Sequence, residues 1–182
     1  MTFRFAMVFG GLAQFLAGMW SFRARDGLAT AMHGAWGSFW IAYGVYWILV
    51  AVRVLPPVTL SRGVELGLAY WFIVLAAITW VGALAPLARN VGMALTLMTL
   101  AAGSTILAIG WAWPVHSVVN AAGDVLVASA VIAFYTASAL MLEGSFGRPV
   151  LPTGHIRPHI ARGARLEPIE YEPGEPGVRA GQ

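Results

Sequence analysis

The chain has 182 residues, of which 59% are hydrophobic and only 10% charged, with a mean hydropathy of +0.74. A soluble globular domain carries roughly 25% charged residues, so this composition excludes an ordinary water-facing surface and makes lipid the main solvent. The net charge of +3 comes from arginines in loops and tail and reads as topology rather than nucleic-acid binding, while the lack of cysteine excludes disulfides, thiolate metal sites and a cysteine nucleophile.

Five apolar spans are predicted, from Phe3 to Phe22, Leu28 to Val52, Leu66 to Pro86, Val91 to Trp113 and Val118 to Leu142. Each is long enough to cross a hydrocarbon core of about 30 Å as a helix rising 1.5 Å per residue. None alternates as a barrel strand does, and a backbone in lipid must satisfy its own hydrogen bonds. The expected fold is therefore all-α, a polytopic membrane helix bundle with five transmembrane helices. "FRARDG", "RVLPPVTLSRG", "PLARN" and "WPVHS" break the spans, helped by Pro56, Pro57 and Pro114. "FRARDG" is no signal-peptide cleavage site, and Arg4 alone makes a poor n-region.

Residues 1–148 read as the transmembrane domain and 149–182 as a disordered cytoplasmic tail, rich in proline, glycine and charge. Alternate loops hold Arg23 and Arg25, then Arg89, then Arg148 and Arg157; Arg162, Arg165 and Arg179 follow in the tail. The opposite side holds Arg4, Arg53 and Arg62. The positive-inside rule then puts the N-terminus outside and the C-terminus in the cytoplasm, in a multi-pass inner (plasma) membrane protein.

Polar residues inside the spans are the candidates for function. Gln14 sits among Gly10, Gly11, Ala13, Ala17 and Gly18, small residues that let a neighbouring helix approach closely. Its amide needs a partner on another helix or a wet cavity, and both readings stand. Asp124 is the acidic residue inside the fifth span: a proton carrier, or a shallow carboxylate stabilised by the helix N-terminus. His33 reads as a packing residue near an interface, and His116 as a solvated loop residue. His155 and His159 are spaced i, i+4 across Pro158 without a third ligand, so no metal is expected. Trp36 and Trp40 lie one turn apart beside Gly37 and Ser38, as a helix contact or a pore wall. Trp20, Trp111 and Trp113 fall near span ends, as interfacial residues do. There is no nucleotide-binding glycine loop and no spaced Ser/His/Asp set, so neither an enzyme nor a cofactor is expected.

"FGGLAQFLAGMWSFR" followed by "GAWGSFW" resembles the second and third helices of the acetate uptake transporter family, the succinate–acetate permease (YaaH) type. "AAGDVLVASAVIAFYTASALML" is similar to its sixth helix, and "FGRPVLPTG" to its C-terminal signature. The resemblance implies six transmembrane helices per subunit, a homo-hexamer, one solute route per protomer, and passage of acetate, a small organic acid, with protons. It also implies a constriction in which Trp36 takes the place of the family's tyrosine and Leu100 that of its leucine, with Ala133 at a position affecting substrate size. The chain begins at the family's second helix, which leaves the first helix, with its Asn-Pro-Ala-Pro-Leu-Gly-Leu motif and first constriction aromatic, without a counterpart. The last helix reads Ala122-Gly123 for the family's double glycine, followed by Asp124.

The expected function is a transporter or channel for acetate or a similar short monocarboxylate, proton-coupled. Gln14 and Asn120 would offer hydrogen bonds along the route, and Asp124 would exchange the proton. A pore for a neutral solute such as ammonia or urea, and a non-transporting partner subunit, are the alternatives.

Overall fold

A computed structural model describes residues 5–88 and 90–154. The described residues form five helical rods joined by short turns, in the order the apolar spans predict. The first rod begins as a π-helix, Ala6–Ala13, and continues as α1, Gln14–Arg23. It is followed by α2 (Gly27–Ala51), α3 (Arg62–Leu84), α4 (Val91–Ala112) and α5 (His116–Phe146), with short 3₁₀ turns at Val58–Leu60 and Ala85–Ala88. Among the described residues α2 to α5 are each long and apolar enough to cross a membrane. Large exposed side chains such as Val127, Val131 and Phe134 give the outer surface the apolar character that lipid requires.

The ends of the helices explain the loop chemistry. After α1, the Arg25 amide donates to the Phe22 carbonyl (3.0 Å) and the Asp26 amide to Ser21 (2.9 Å), closing a Schellman motif with Arg25 left-handed at φ 57°. The Asp26 carboxylate then accepts the Ala29 amide at 2.9 Å and caps α2. Arg53 repeats the device after α2: φ is 62°, and the Arg53 and Val54 amides donate to Val50 and Leu49. Arg62 opens α3, pairs with Glu65 at 3.2 Å, and donates to the Trp111 and Ala112 carbonyls at the end of α4, where the helix dipole favours a cation.

Two glycine-lined contacts fold the first two rods into an antiparallel hairpin. A Cβ on Gly37 would lie 2.7 Å from the Phe15 amide nitrogen, and one on Gly18 would lie 3.0 Å from the Gly34 nitrogen. Backbones this close admit no side chain, as small-residue contacts between membrane helices require. α4 packs along both α3 and α5, with the Ser129 hydroxyl donating to the Thr96 carbonyl at 3.0 Å. The hairpin joins this group through a core of Trp36, Phe39, Phe72, Leu75 and Ala108, and a second of Met32, Ala83 and Leu97.

The chain turns at Gly147, left-handed at φ 65°, and comes back to α4. The carbonyls of Gly154 and Thr153 accept the Val91 and Gly92 amides at 3.2 and 3.0 Å, while the Asn90 side chain accepts the Met93 amide at 3.1 Å. The first turn of α4 is thereby capped twice over. Of the segment expected as a tail, 149–154 takes part in this strap, and His155, Arg157, His159 and the rest of 155–182 lie outside the described residues, as do Arg4 and Arg89.

Candidate functional site

Trp36 sits at the middle of the molecule, 5% exposed. Its indole N–H donates to the Thr79 hydroxyl at 3.1 Å, and that hydroxyl donates to the Leu75 carbonyl one turn back at 2.6 Å. Phe39 meets Trp36 edge-on at 5.9 Å and Phe72 at 5.1 Å. Leu100, half-buried, packs against both core clusters. The two residues that the resemblance assigns to a constriction, Trp36 and Leu100, thus pack in one apolar cluster, where the Trp36 indole and the Thr79 hydroxyl are tied to each other.

Two cavities lie along α2, toward its start and toward its end. One, of about 290 Å³, lies among the start of α2, the start of α4 and the second half of α5, with Asp26, His33, Thr96, Ala133 and Thr136 in its wall. The other, of about 380 Å³, lies between the end of α2 and the start of α3 and is lined by Phe39, Tyr43, Tyr46 and Trp71 among others. Along α2 the last residue of the first cavity, His33, and the first of the second, Phe39, are six positions apart, about 9 Å of helix. Trp36 lies in that interval.

The two cavities differ in character. The second is aromatic: Phe39 stacks on Tyr43 at 5.4 Å, and Tyr43 on Tyr46 at 6.4 Å. At the first, two helices present their N-terminal turns, α2 through Leu28 and Ala29, and α4 through Met93 and Thr96. The positive ends of two helix dipoles therefore bear on it, with the Asp26 carboxylate at its edge. Thr136 is 5% exposed, and its hydroxyl and the His33 Nδ1 are buried with no hydrogen-bond partner in the protein.

The other expected pathway residues are dispersed. Ala133 lines the first cavity. Gln14 is half-buried at the junction of the π-helical and α-helical parts of the first rod, between Gly11 and Phe15, which contact Ile41 and Gly37. Asn120 and Asp124 share an exposed face of α5 and line neither cavity described above. Sequence reasoning placed His33 as a packing residue and passed over Thr136 and Thr96. No spacing could have joined residues 33, 96 and 136, which three separate helices bring to one wall. Among the described residues no group of His, Asp and Glu has the disposition of a metal site.

Known proteins share this architecture. The bacterial acetate channel SatP superposes with a TM-score of 0.75 over 84% of this chain and 81% of its own, at 21% sequence identity, a likeness of fold. Acetate permease A of Emericella nidulans is 26% identical over 181 residues, covering 92% of this chain and 59% of the permease, so the chain spans about three fifths of that relative's length. Both relatives are named for transport and not for catalysis. The model of the GPR1/FUN34/yaaH family matches residues 1–156, and this multi-pass membrane protein belongs to that family.

Proposed function

We propose that the chain conducts acetate or a similar short monocarboxylic acid across the membrane through the neck formed around Trp36 and Leu100. The observation that carries this reading is a pair of cavities at the two ends of α2 with a thin apolar neck between them. The permease and channel names of the relatives supply the substrate class.

The physics of the neck favours a solute that has shed its charge. Protonating a carboxylate that titrates near 4 costs about 4 kcal/mol at pH 7. Carrying the bare anion into a medium as apolar as Phe39, Phe72, Leu75 and Leu100 costs far more, tens of kcal/mol in the Born limit. Acid and proton therefore cross together in this reading. Ala133, with its single methyl group in the wall of the first cavity, leaves room for the acyl chain. Gln14 offers an amide beside the route, while Asn120 and Asp124 stand off it on the outer face of α5.

In the same reading residues 1–148 form the conducting domain and 149–182 the tail. The end bearing Arg23, Arg25 and Arg148 faces the cytoplasm of the plasma membrane, and the assembled form is the homo-hexamer that the resemblance implies. The test is uptake of labelled acetate into proteoliposomes with and without an inward proton gradient. Gradient-stimulated, saturable uptake is expected. Uptake indifferent to the gradient would overturn the proton coupling, and permeation by urea in place of acetate would overturn the substrate class.

A further inference from the structure

We infer that the cavity at the α2, α4 and α5 junction is a binding site for one small carboxylic acid, with His33 and Thr136 as the pair that holds its carboxyl group. This deepens the proposed conduction of such acids and rests on that reading for the ligand class. Three independent features converge there. The Thr136 side chain is 5% exposed, and its hydroxyl has no partner in the protein. The His33 Nδ1, in the wall of the same cavity, is likewise buried and unpaired. Buried polar atoms are nearly always satisfied, and two orphans on residues that line one cavity are unmet hydrogen-bonding capacity that a ligand meets once χ1 turns them toward it. The third feature is the N-terminal end of α4, which is capped only by neutral groups, the Asn90 side chain and the Thr153 and Gly154 carbonyls, so its dipole still favours negative charge, whereas that of α2 already faces the Asp26 carboxylate.

A carboxyl group fits this donor set better than other small polar groups. The threonine hydroxyl donates to one carboxyl oxygen. The imidazole serves the other in either of two equivalent ways: neutral Nδ1 accepts the O–H of the undissociated acid, or the imidazolium donates to the carboxylate. Both arrangements contain the same atoms, carboxylate plus one proton. Rotation about χ1 is the freedom each side chain has for meeting the ligand. Among the described residues the charged group sharing the cavity with His33 is Asp26, whose carboxylate is engaged by the Ala29 amide. α4 and α5 face the cavity with uncharged residues. α1 packs against the His33 backbone through Gly18, with Arg23 and Arg25 at its exposed end.

Beside the polar pair the lining is mostly apolar. Leu97 and Ala133 flank it, and the Thr136 hydroxyl lies where a Cβ on Gly92 would come within 2.8 Å. The wall on that side is closed by backbone, so a short acyl chain is accepted and the head group is held against the start of α4.

The experiment is equilibrium binding of labelled acetate to the purified full chain in nanodiscs, with acetamide as the uncharged isostere, beside acetate flux on the same preparations. Thr136→Val, which keeps the shape and removes the hydroxyl, should weaken acetate binding about tenfold, the usual effect of losing one hydrogen bond to a charged group. His33→Gln should weaken it by a similar factor, and Thr136→Ser should restore it to within about twofold of the parent. Acetamide should bind less tightly than acetate to the parent chain. Equal acetate affinity in all four proteins, with circular dichroism and gel filtration unchanged, would overturn the site. Flux without variant-sensitive binding would overturn the site and leave the conduction reading intact. Variant-sensitive binding without flux would uphold the site and overturn conduction.

Discussion

Replacing Trp36 by phenylalanine separates a gate from a strut. The substitution keeps a ring against Phe39 but deletes the indole N–H that donates to Thr79 at 3.1 Å. That bond is worth about 1 kcal/mol. Thr79 is not orphaned, because its hydroxyl already donates to the Leu75 carbonyl. Indole to phenyl also removes about three heavy atoms from a side chain that is 5% exposed, or roughly 2 kcal/mol at 0.8 kcal/mol per buried carbon. The total of about 3 kcal/mol corresponds to a fall in Tm of roughly 6–12 °C for a chain of this size, readable by scanning fluorimetry in detergent. The functional consequence has the opposite sign. A neck shortened by three atoms should pass longer acids, so the ratio of butyrate to acetate flux in proteoliposomes should rise at least threefold. A lowered Tm with an unchanged ratio would mean that Trp36 only braces the bundle, and would refute its place on the route.

Gly37→Val puts side-chain atoms within 2.7 Å of the Phe15 backbone and should prevent the first hairpin from closing, seen as loss of monodisperse protein on gel filtration. Asp26→Ala removes the cap on α2 and should cost about 1 kcal/mol, or a Tm lower by roughly 2–4 °C. Arg53→Gly relieves a left-handed arginine at φ 62° and should raise stability by about 1 kcal/mol, read as the same size of Tm shift upward. Asp124→Asn should leave acetate flux within twofold of the parent, because Asp124 is exposed on α5 and lines neither cavity; a larger change would bring that face of α5 onto the route.

How much of this was legible in the sequence depends on how local each signal is. The spans are read from length and apolarity, and the helices of the structure begin and end within a few residues of them. The close approach of the first two rods follows from Gly18 and Gly37, whose meaning depends only on their having no side chain. The helix stops were harder. A glycine is expected at a Schellman turn, yet arginine fills the left-handed position in both, and Gly27 opens α2 instead of closing α1. The π-helical start at Ala6–Ala13 also has no sequence signal; widening each turn there changes which face of the rod reaches α2, and Gln14 stands where the geometry reverts.

The neck and the polar cavity lie at opposite extremes of legibility. Trp36 and Leu100 were reached by resemblance, because a motif and a landmark downstream can be counted along one chain. His33 and Thr136 carry no spacing relation, since they stand on α2 and α5, and α4, which packs along α5, presents Thr96 and Leu97 to the same space. In a membrane bundle the apolar residues face both lipid and core, so hydrophobic periodicity cannot separate the inner face from the outer one. Polar atoms carry a different signal, their hydrogen-bond partners. The hydroxyls of Ser38, Thr79, Thr99, Ser104 and Thr105 donate to a carbonyl four residues back, and Thr79 and Thr105 also accept an indole N–H from Trp36 and Trp80. The Thr136 hydroxyl, buried on α5, makes no such bond, although the same backbone geometry would offer it one, and that difference sets it apart from those hydroxyls.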